Sequence, residues 1–181
     1  MMKNNQENQI VLGGGCFWCL EATFHLVKGV TNLIVGYSDG NIDQPTYEQV
    51  CQGNTGYIEV IKLTFNPTII SLDSILTIFF TLHDPTSLAR QGNDVGYQYS
   101  SAVFYTNNDQ KNIIDQVVLK VSKLYTKPIV TIIKPLKNFY VAEEEHQDYF
   151  TKHPNQAYCQ IIINPKITKL RQYYSRYLAS D

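Results

Sequence analysis

The sequence predicts one domain of the α/β or α+β class, built around a mixed sheet. Short apolar runs, one of them alternating with period two, interleave with segments whose apolar residues recur every three or four positions. The chain has 181 residues, 44% of them hydrophobic and 17% charged, which suffices for one sizeable core. No internal repeat, low-complexity block or linker divides it.

The elements follow in order. Ile10, Val11 and Leu12 form a short apolar run, read as a strand. Gly13-Gly14-Gly15 turn it into a helix whose Phe17, Leu20, Phe24 and Val27 share a face and which ends at Gly29. Residues 32–37 read as a strand. A long polar stretch, 38–55, carries Gly40, Pro45, Tyr47 and Cys51. Ile61, Leu63 and Phe65 alternate along the next strand, which Asn66-Pro67 stops. Leu72, Ile75, Leu76, Phe79 and Phe80 mark an amphipathic helix. A second long stretch runs over 83–100, and 102–105 reads as a strand. Ile113, Ile114, Val117, Val118, Val121 and Leu124 make another helical face, and 129–133 is a strand ended by Pro135. Residues 142–151 read as a short polar helix and 158–163 as a last strand, closed by Asn164-Pro165. The expected organisation is a flexible N-terminus over 1–9, one domain over 10–165, and a basic, tyrosine-rich tail over 166–181 with no assigned task.

Basic and acidic residues nearly cancel, 15 against 16, so charge gives no reason to expect nucleic acid or an anionic membrane as partner. No apolar run approaches the roughly 20 residues of a membrane span. The polar start lacks the apolar centre of a signal peptide, so a cytoplasmic protein is expected. In that reducing compartment Cys16, Cys19, Cys51 and Cys159 read as catalytic, redox-active or metal-binding thiols rather than a permanent framework. A zinc site wants two closely spaced pairs; there is one pair here, and no metal is expected. His146 among Glu143 to Glu145 reads as part of a solvated helix face, and Cys51 as a packing residue.

The chemistry concentrates in Gly13-Gly14-Gly15-Cys16-Phe17-Trp18-Cys19. Cys16 falls where a strand turns into a helix start, whose unpaired N–H groups favour an anion; a lowered pKa and partial thiolate character are expected. Chains of irregular structure longer than about 12–15 residues are usually functional or disordered. The two long stretches have the glycines, tyrosines and acids of an ordered site. Folded over Cys16, they would bring it Tyr47, Glu59, Asp94 and Tyr99. The residues alone leave two other readings open. Cys16 and Cys19 could form the whole site of a thiol–disulfide oxidoreductase, or the aromatic pair could serve a peptide-binding module without turnover.

A set of motifs in order narrows the choice. Gly15-Cys16-Phe17-Trp18, Pro45-Thr46-Tyr47-Glu48-Gln49-Val50-Cys51, Thr55-Gly56-Tyr57-Ile58-Glu59, His83-Asp84-Pro85, Gln91-Gly92-Asn93-Asp94, Gln98-Tyr99-Ser100-Ser101, Ala142-Glu143 with His146-Gln147-Asp148-Tyr149, and Tyr158-Cys159 together resemble the peptide methionine sulfoxide reductase A family, which acts on the S epimer at sulfur. The resemblance spans about residues 10–165. It implies an α+β roll whose mixed sheet holds a central ferredoxin-like plait flanked by helices. It implies Cys16 as nucleophile, Glu59 as proton donor, and Tyr47, Asp94 and Tyr99 as helpers around the sulfoxide oxygen. Phe17 and Trp18 are implied as the pocket for the substrate methyl group, and Cys159 as the thiol that first resolves the Cys16 sulfenic acid, with Cys19, in a Cys-x-x-Cys spacing with Cys16, as the alternative. It further implies thioredoxin as external reductant, no bound cofactor, and protein repair under oxidative stress on methionine-S-sulfoxide, free or in peptides and proteins; a monomer is expected. Tyr57, Ile58, Tyr97 and Ser100 depart from common family residues, which bears on surface shape and peptide preference.

Those residue types suit the reaction. A sulfoxide sulfur is a poor electrophile until its oxygen is protonated or strongly hydrogen-bonded, so a thiolate must attack while an acid donates. Glu59 must therefore be kept protonated by an apolar setting. Two phenols can donate to the developing charge without titrating at neutral pH, and the aromatic pair excludes water.

Overall fold

The computed structural model describes residues 8–179. β1 (Gln9–Gly14) leads into α1 (Phe17–Phe24), and β2 (Val30–Ser38) returns along the sheet. α2 (Tyr47–Cys51) interrupts the first long stretch before β3 (Ile58–Phe65) and α3 (Leu72–Leu82). The second stretch contains a miniature hairpin, β4 (Arg90–Gln91) with β5 (Asp94–Val95), and a 3₁₀ turn at Tyr97–Tyr99. Then come β6 (Ser101–Tyr105), α4 (Asn108–Ser122), β7 (Ile132–Pro135), β8 (Phe139–Val141), α5 (Tyr149–Lys152) and α6 (Asn164–Tyr174).

The main sheet has six strands in the order β7-β6-β1-β3-β2-β8. All neighbours are antiparallel except β6 and β7, so the sheet is mixed, as expected. Period-two alternation divides its faces. Ile10, Leu12, Ile61 and Leu63 join the main core with the buried sides of α1, α3, α4 and α6. Val11, Ile58, Val60, Ala102 and Phe104 form a smaller cluster on the other face, against Ile132, Leu136 and Phe139. Glu59 therefore shares the helix-covered face with Ile61, opposite its sequence neighbours Ile58 and Val60.

The glycine run is explained by close approach and by one backbone angle. A Cβ on Gly14 would stand 3.0 Å from the Phe79 ring and 3.2 Å from His83. Gly15 adopts φ +90°, and a Cβ there would meet Gln91 Cγ at 2.7 Å. Together they let β1 end under α3 and turn at once into α1.

Four expectations are corrected. Residues 158–163 are not a strand: Cys159–Ile163 form a π-helical turn that runs straight into α6. The isoleucine run suggested β structure, yet Cys159 and Ile163 are buried while Ile161 is exposed, the pattern of a helix face. Residues 142–151 are not one helix: a 3₁₀ turn at Glu144–His146 and α5 are separated by Asp148 at φ +55°. The strand read over 129–133 starts later, at Ile132. α1 stops at Phe24, so Val27 enters the core from a turn rather than from the helix.

Residues 166–179 of the expected tail are integrated. α6 packs on α1 and α3, with Leu170 wholly buried. Lys169 Nζ donates to the Thr81 carbonyl at 2.7 Å, and the Lys28 N–H donates to the Tyr177 carbonyl at 2.7 Å. The N-terminus expected over 1–9 lies, apart from residues 8 and 9, outside the described residues.

Candidate active site

Cys16 is the N-cap of α1 and is 8% exposed. Its surroundings reverse the expected thiolate. Burial, the hydrogen bond its thiol makes with Cys19 and the nearby Glu59 all push Cys16 well above the ordinary thiol range. The group with a lowered pKa is Cys19, brought to about 7 by the Cys16 hydrogen bond against the opposing effect of burial, with help from Lys166. Desolvation outweighs the helix start at Cys16. One turn further on, the same thiol pair favours charge at Cys19.

Glu59 is 1% exposed on β3, where Tyr37 is its cross-strand partner. Burial raises its pKa to about 8, although the Phe17 N–H donates to its Oε2 at 3.1 Å and opposes the rise. The carboxyl is thus held at the mouth of the α1 N-terminus and protonated at neutral pH, the state the chemistry requires.

Two phenols complete this side. Thr46 caps α2 through a capping box with Gln49, and the Tyr47 N–H donates to Glu143 at 2.7 Å, which fixes where α2 begins. The other oxygen of Glu143 accepts the Tyr37 hydroxyl at 2.8 Å. The short Tyr97–Tyr99 turn presents Tyr99. Burial raises the pKa of both Tyr47 and Tyr99, with Glu59 among the charges that act on each. Both stay neutral donors. Cys51, expected as a packing residue, is exposed and accepts from Tyr47 one helical turn away; Val50 turns inward in its place.

On the opposite side, the β4–β5 hairpin carries Asp94. Its Oδ2 accepts the Tyr158 hydroxyl at 2.8 Å, and that hydroxyl lies 3.7 Å from Cys19 Sγ. A cavity of about 460 Å³ opens here, lined by Cys16, Asp94, Tyr158, Ile162 and Lys166 among others. Phe17 and Trp18 do not line it. Phe17 is fully buried between Tyr37 and His146. Trp18 stacks on Tyr149, centroids 3.6 Å apart and planes 6° apart, and meets Tyr158 edge-on.

His146 corrects the reading of a solvated face. It is 5% exposed, packed on the Tyr47 ring at 4.4 Å, and neither ring nitrogen has a hydrogen-bond partner among the described residues; nor does Trp18 Nε1. The three glutamates before it hid an inward-turning histidine. Gln147 secures the turn by bonding both backbone groups of Val35. Tyr158, Glu143 and His146 thus belong to the site although the residues alone did not single them out; all three lie inside the motifs quoted above.

Cys159 is wholly buried at the start of the π-helical turn, with Cys19 the thiol whose charge it senses. Among the described residues one group, Glu21, His25 and Asp148, has ligand atoms within 4.8 Å of one another. It lies at the far end of α1, and Glu21 already accepts the N–H groups of Asp148 and Tyr149 at 2.7 and 3.1 Å, so it ties α5 to α1.

Comparison with known proteins gives the family. The family described as peptide methionine sulfoxide reductase matches residues 8–178. A peptide methionine sulfoxide reductase MsrA from Pseudarthrobacter chlorophenolicus is 51% identical over 168 residues, 93% of this chain and 97% of its own length. The crystal structure of Mxr1 from Saccharomyces cerevisiae in reduced form is similar with a TM-score of 0.79 at 35% identity, covering 83% of this chain and 88% of that one. Mxr1 in complex with Trx2 is similar in fold, with a TM-score of 0.57 at 24% identity over 82% and 90% of the two chains.

Proposed function

The chain belongs to the peptide methionine sulfoxide reductase family and is an oxidoreductase of the MsrA type; from that premise we propose that it reduces methionine-S-sulfoxide through Cys16 and Glu59. The observation that carries the mechanism is the pairing of a buried, protonated Glu59 with Cys16 across the first turn of α1.

The substrate sulfur meets Cys16 while its oxygen takes the Glu59 proton, and Tyr47 and Tyr99 donate hydrogen bonds to it. The Cys16 proton leaves along the hydrogen bond to Cys19, which is the more acidic thiol of the pair. The protonated oxygen passes as hydroxyl from the substrate sulfur to Cys16 Sγ, the substrate S–O bond breaking as the Cys16 S–O bond forms, so that methionine departs and Cys16 is left as a sulfenic acid. A second thiol then displaces water to form a disulfide. Of the two candidates, Cys19 is the one hydrogen-bonded to Cys16, and its lowered pKa supports it as first resolver. Cys159, a buried thiol that senses the charge of Cys19, would then exchange into that disulfide and free Cys16. Thioredoxin is the reductant that closes the cycle; Mxr1, solved with Trx2, supports that choice. No step calls for a bound cofactor.

Trp18, half-buried with one face covered by Tyr149, would offer its edge to the substrate methyl group, while Phe17, wholly buried, backs it rather than touching substrate. The central plait is supported by the order β6-β1-β3-β2 and by the chain order β1-α1-β2-β3-α3-β6, a βαββαβ unit.

Separate assays on the two sulfoxide epimers with dithiothreitol as reductant test the reading. Methionine should form from the S epimer alone, and Cys16→Ser should abolish it. Turnover of the R epimer at a similar rate, or by Cys16→Ser, would remove the proposal.

A further inference from the structure

The cavity that opens at Cys16 has an electrical polarity that the reaction at sulfur does not use. Asp94 lies on one wall, where it accepts the Tyr158 hydroxyl. Lys166, from the first turn of α6, lies on the same lining beyond the apolar surface of Ile161 and Ile162. It is half-buried and makes no hydrogen bond or ion pair among the described residues. Two other cations of this part of the chain are engaged elsewhere: Lys169 on the Thr81 carbonyl and Lys152 on Glu144.

A methionine sulfoxide whose sulfur sits at Cys16 carries its α-carbon only three bonds away. A cavity of about 460 Å³ is large enough for that residue and the start of its neighbour. The groups flanking the α-carbon then enter the cavity whose lining Asp94 and Lys166 share with Cys16. Asp94 keeps acceptor capacity for an N–H or ammonium. Lys166 offers a point charge on a flexible stem with apolar walls around it, where an ion pair is less screened than on an open surface.

We propose that Lys166 forms a carboxylate subsite, so that this reductase favours substrates with a carboxylate within one residue of the sulfoxide. The carboxylate is either the α-carboxylate of free or C-terminal methionine sulfoxide, or the side chain of an acidic neighbour. The inference rests on the reductase reading above. It assigns Lys166 a role in substrate choice, separate from its electrostatic influence on Cys19.

The test measures the second-order rate constant for methionine release in single turnovers. One pair of substrates is N-acetyl-methionine-S-sulfoxide and its N-methylamide. The other is a blocked dipeptide with Glu or Gln after the sulfoxide. The wild type should favour the charged member of at least one pair by about threefold to tenfold, the range of a partly shielded ion pair. The pair that shows the preference identifies the source of the carboxylate. In Lys166→Met the ratio should collapse to about one, in Lys166→Glu it should invert, and Lys166→Arg should retain it. A high-salt buffer should shrink the wild-type ratio. Equal rates within both pairs for the wild type would overturn the subsite. So would a Lys166→Met enzyme that slows charged and neutral substrates by one common factor, since that places Lys166 on the thiols alone. Absence of methionine from every substrate would overturn the reductase reading, and the subsite with it.

Discussion

Glu59 links catalysis to stability through a single proton. Its pKa of about 8 lies above the ordinary 4.5, raised first by burial. The reductase step should therefore fall as pH rises through about 8, where the donor loses its proton. Glu59→Gln should slow that step by about 10²- to 10⁴-fold, the usual worth of a positioned acid, and erase this basic limb. Stability should fall in the same direction, starting from a lower pH. Between pH 4.5 and 8 the unfolded chain has released a proton that the folded chain still holds, so folding is penalised increasingly as pH rises. Glu59→Gln should flatten that decline and raise the urea midpoint at pH 8; an unchanged stability profile would mean that Glu59 titrates normally. At this scale the sequence was informative about residue types and weak about environment. Cys16 and Glu59 could be named, because few side chains supply a nucleophile and an acid. The sign of the Cys16 shift could not, because a helix start lowers a thiol pKa and burial raises it, and only the three-dimensional surroundings decide which is larger. His146 was misjudged for a similar reason: its direction depends on a 3₁₀ turn that three glutamates in sequence do not reveal.

Among the elements, the junction of β1 with α1 governs the site, since it sets Cys16 and aims the Phe17 N–H at Glu59. Gly15→Ala would put an L side chain at φ +90° and drive its Cβ into Gln91. That should cost about 1–3 kcal/mol of stability. Because Gln91 also holds Asp84 through two hydrogen bonds, the hairpin carrying Asp94 should shift as well. Single-turnover rates should fall more than stability alone explains; a variant with wild-type rate and wild-type urea midpoint would contradict this account of the turn. Most elements were legible from periodicity, as β3 and α3 illustrate: alternation marks the one and a three-to-four spacing the other. The exception at 158–163 is instructive. Three consecutive isoleucines carry high strand propensity, and a short run of that kind has no periodicity to argue against it. Tertiary packing of Cys159 and Ile163 settled it as helix.

The whole molecule depends on its C-terminal segment more than composition suggested. α6 reads as a polar tail because most of its surface is solvated, yet Leu170 is completely buried against α1 and α3. Leu170→Ala should therefore destabilise the fold by about 2–5 kcal/mol, as for other fully buried leucines, with a matching drop in thermal midpoint. A loss within a few tenths of a kcal/mol would show the tail to be dispensable. The same helix follows directly on the turn that holds Tyr158 and Cys159, so its docking also fixes the back wall of the site. Long-range placement of this kind leaves little trace in local sequence, whereas the ordered set of motifs conveyed the reaction class.

The central claim is a redox cycle that starts at Cys16 and is resolved within the same turn of α1. It is tested most directly by exposing fully reduced protein to excess methionine-S-sulfoxide without reductant, quenching early with an alkylating agent, and mapping the disulfide. Two thiols should disappear per methionine formed, with Cys16 joined to Cys19 in the earliest samples and Cys159 entering later. A first disulfide between Cys16 and Cys159 would move the resolving role away from Cys19. Methionine formation without loss of the Cys16 thiol would contradict the cycle itself.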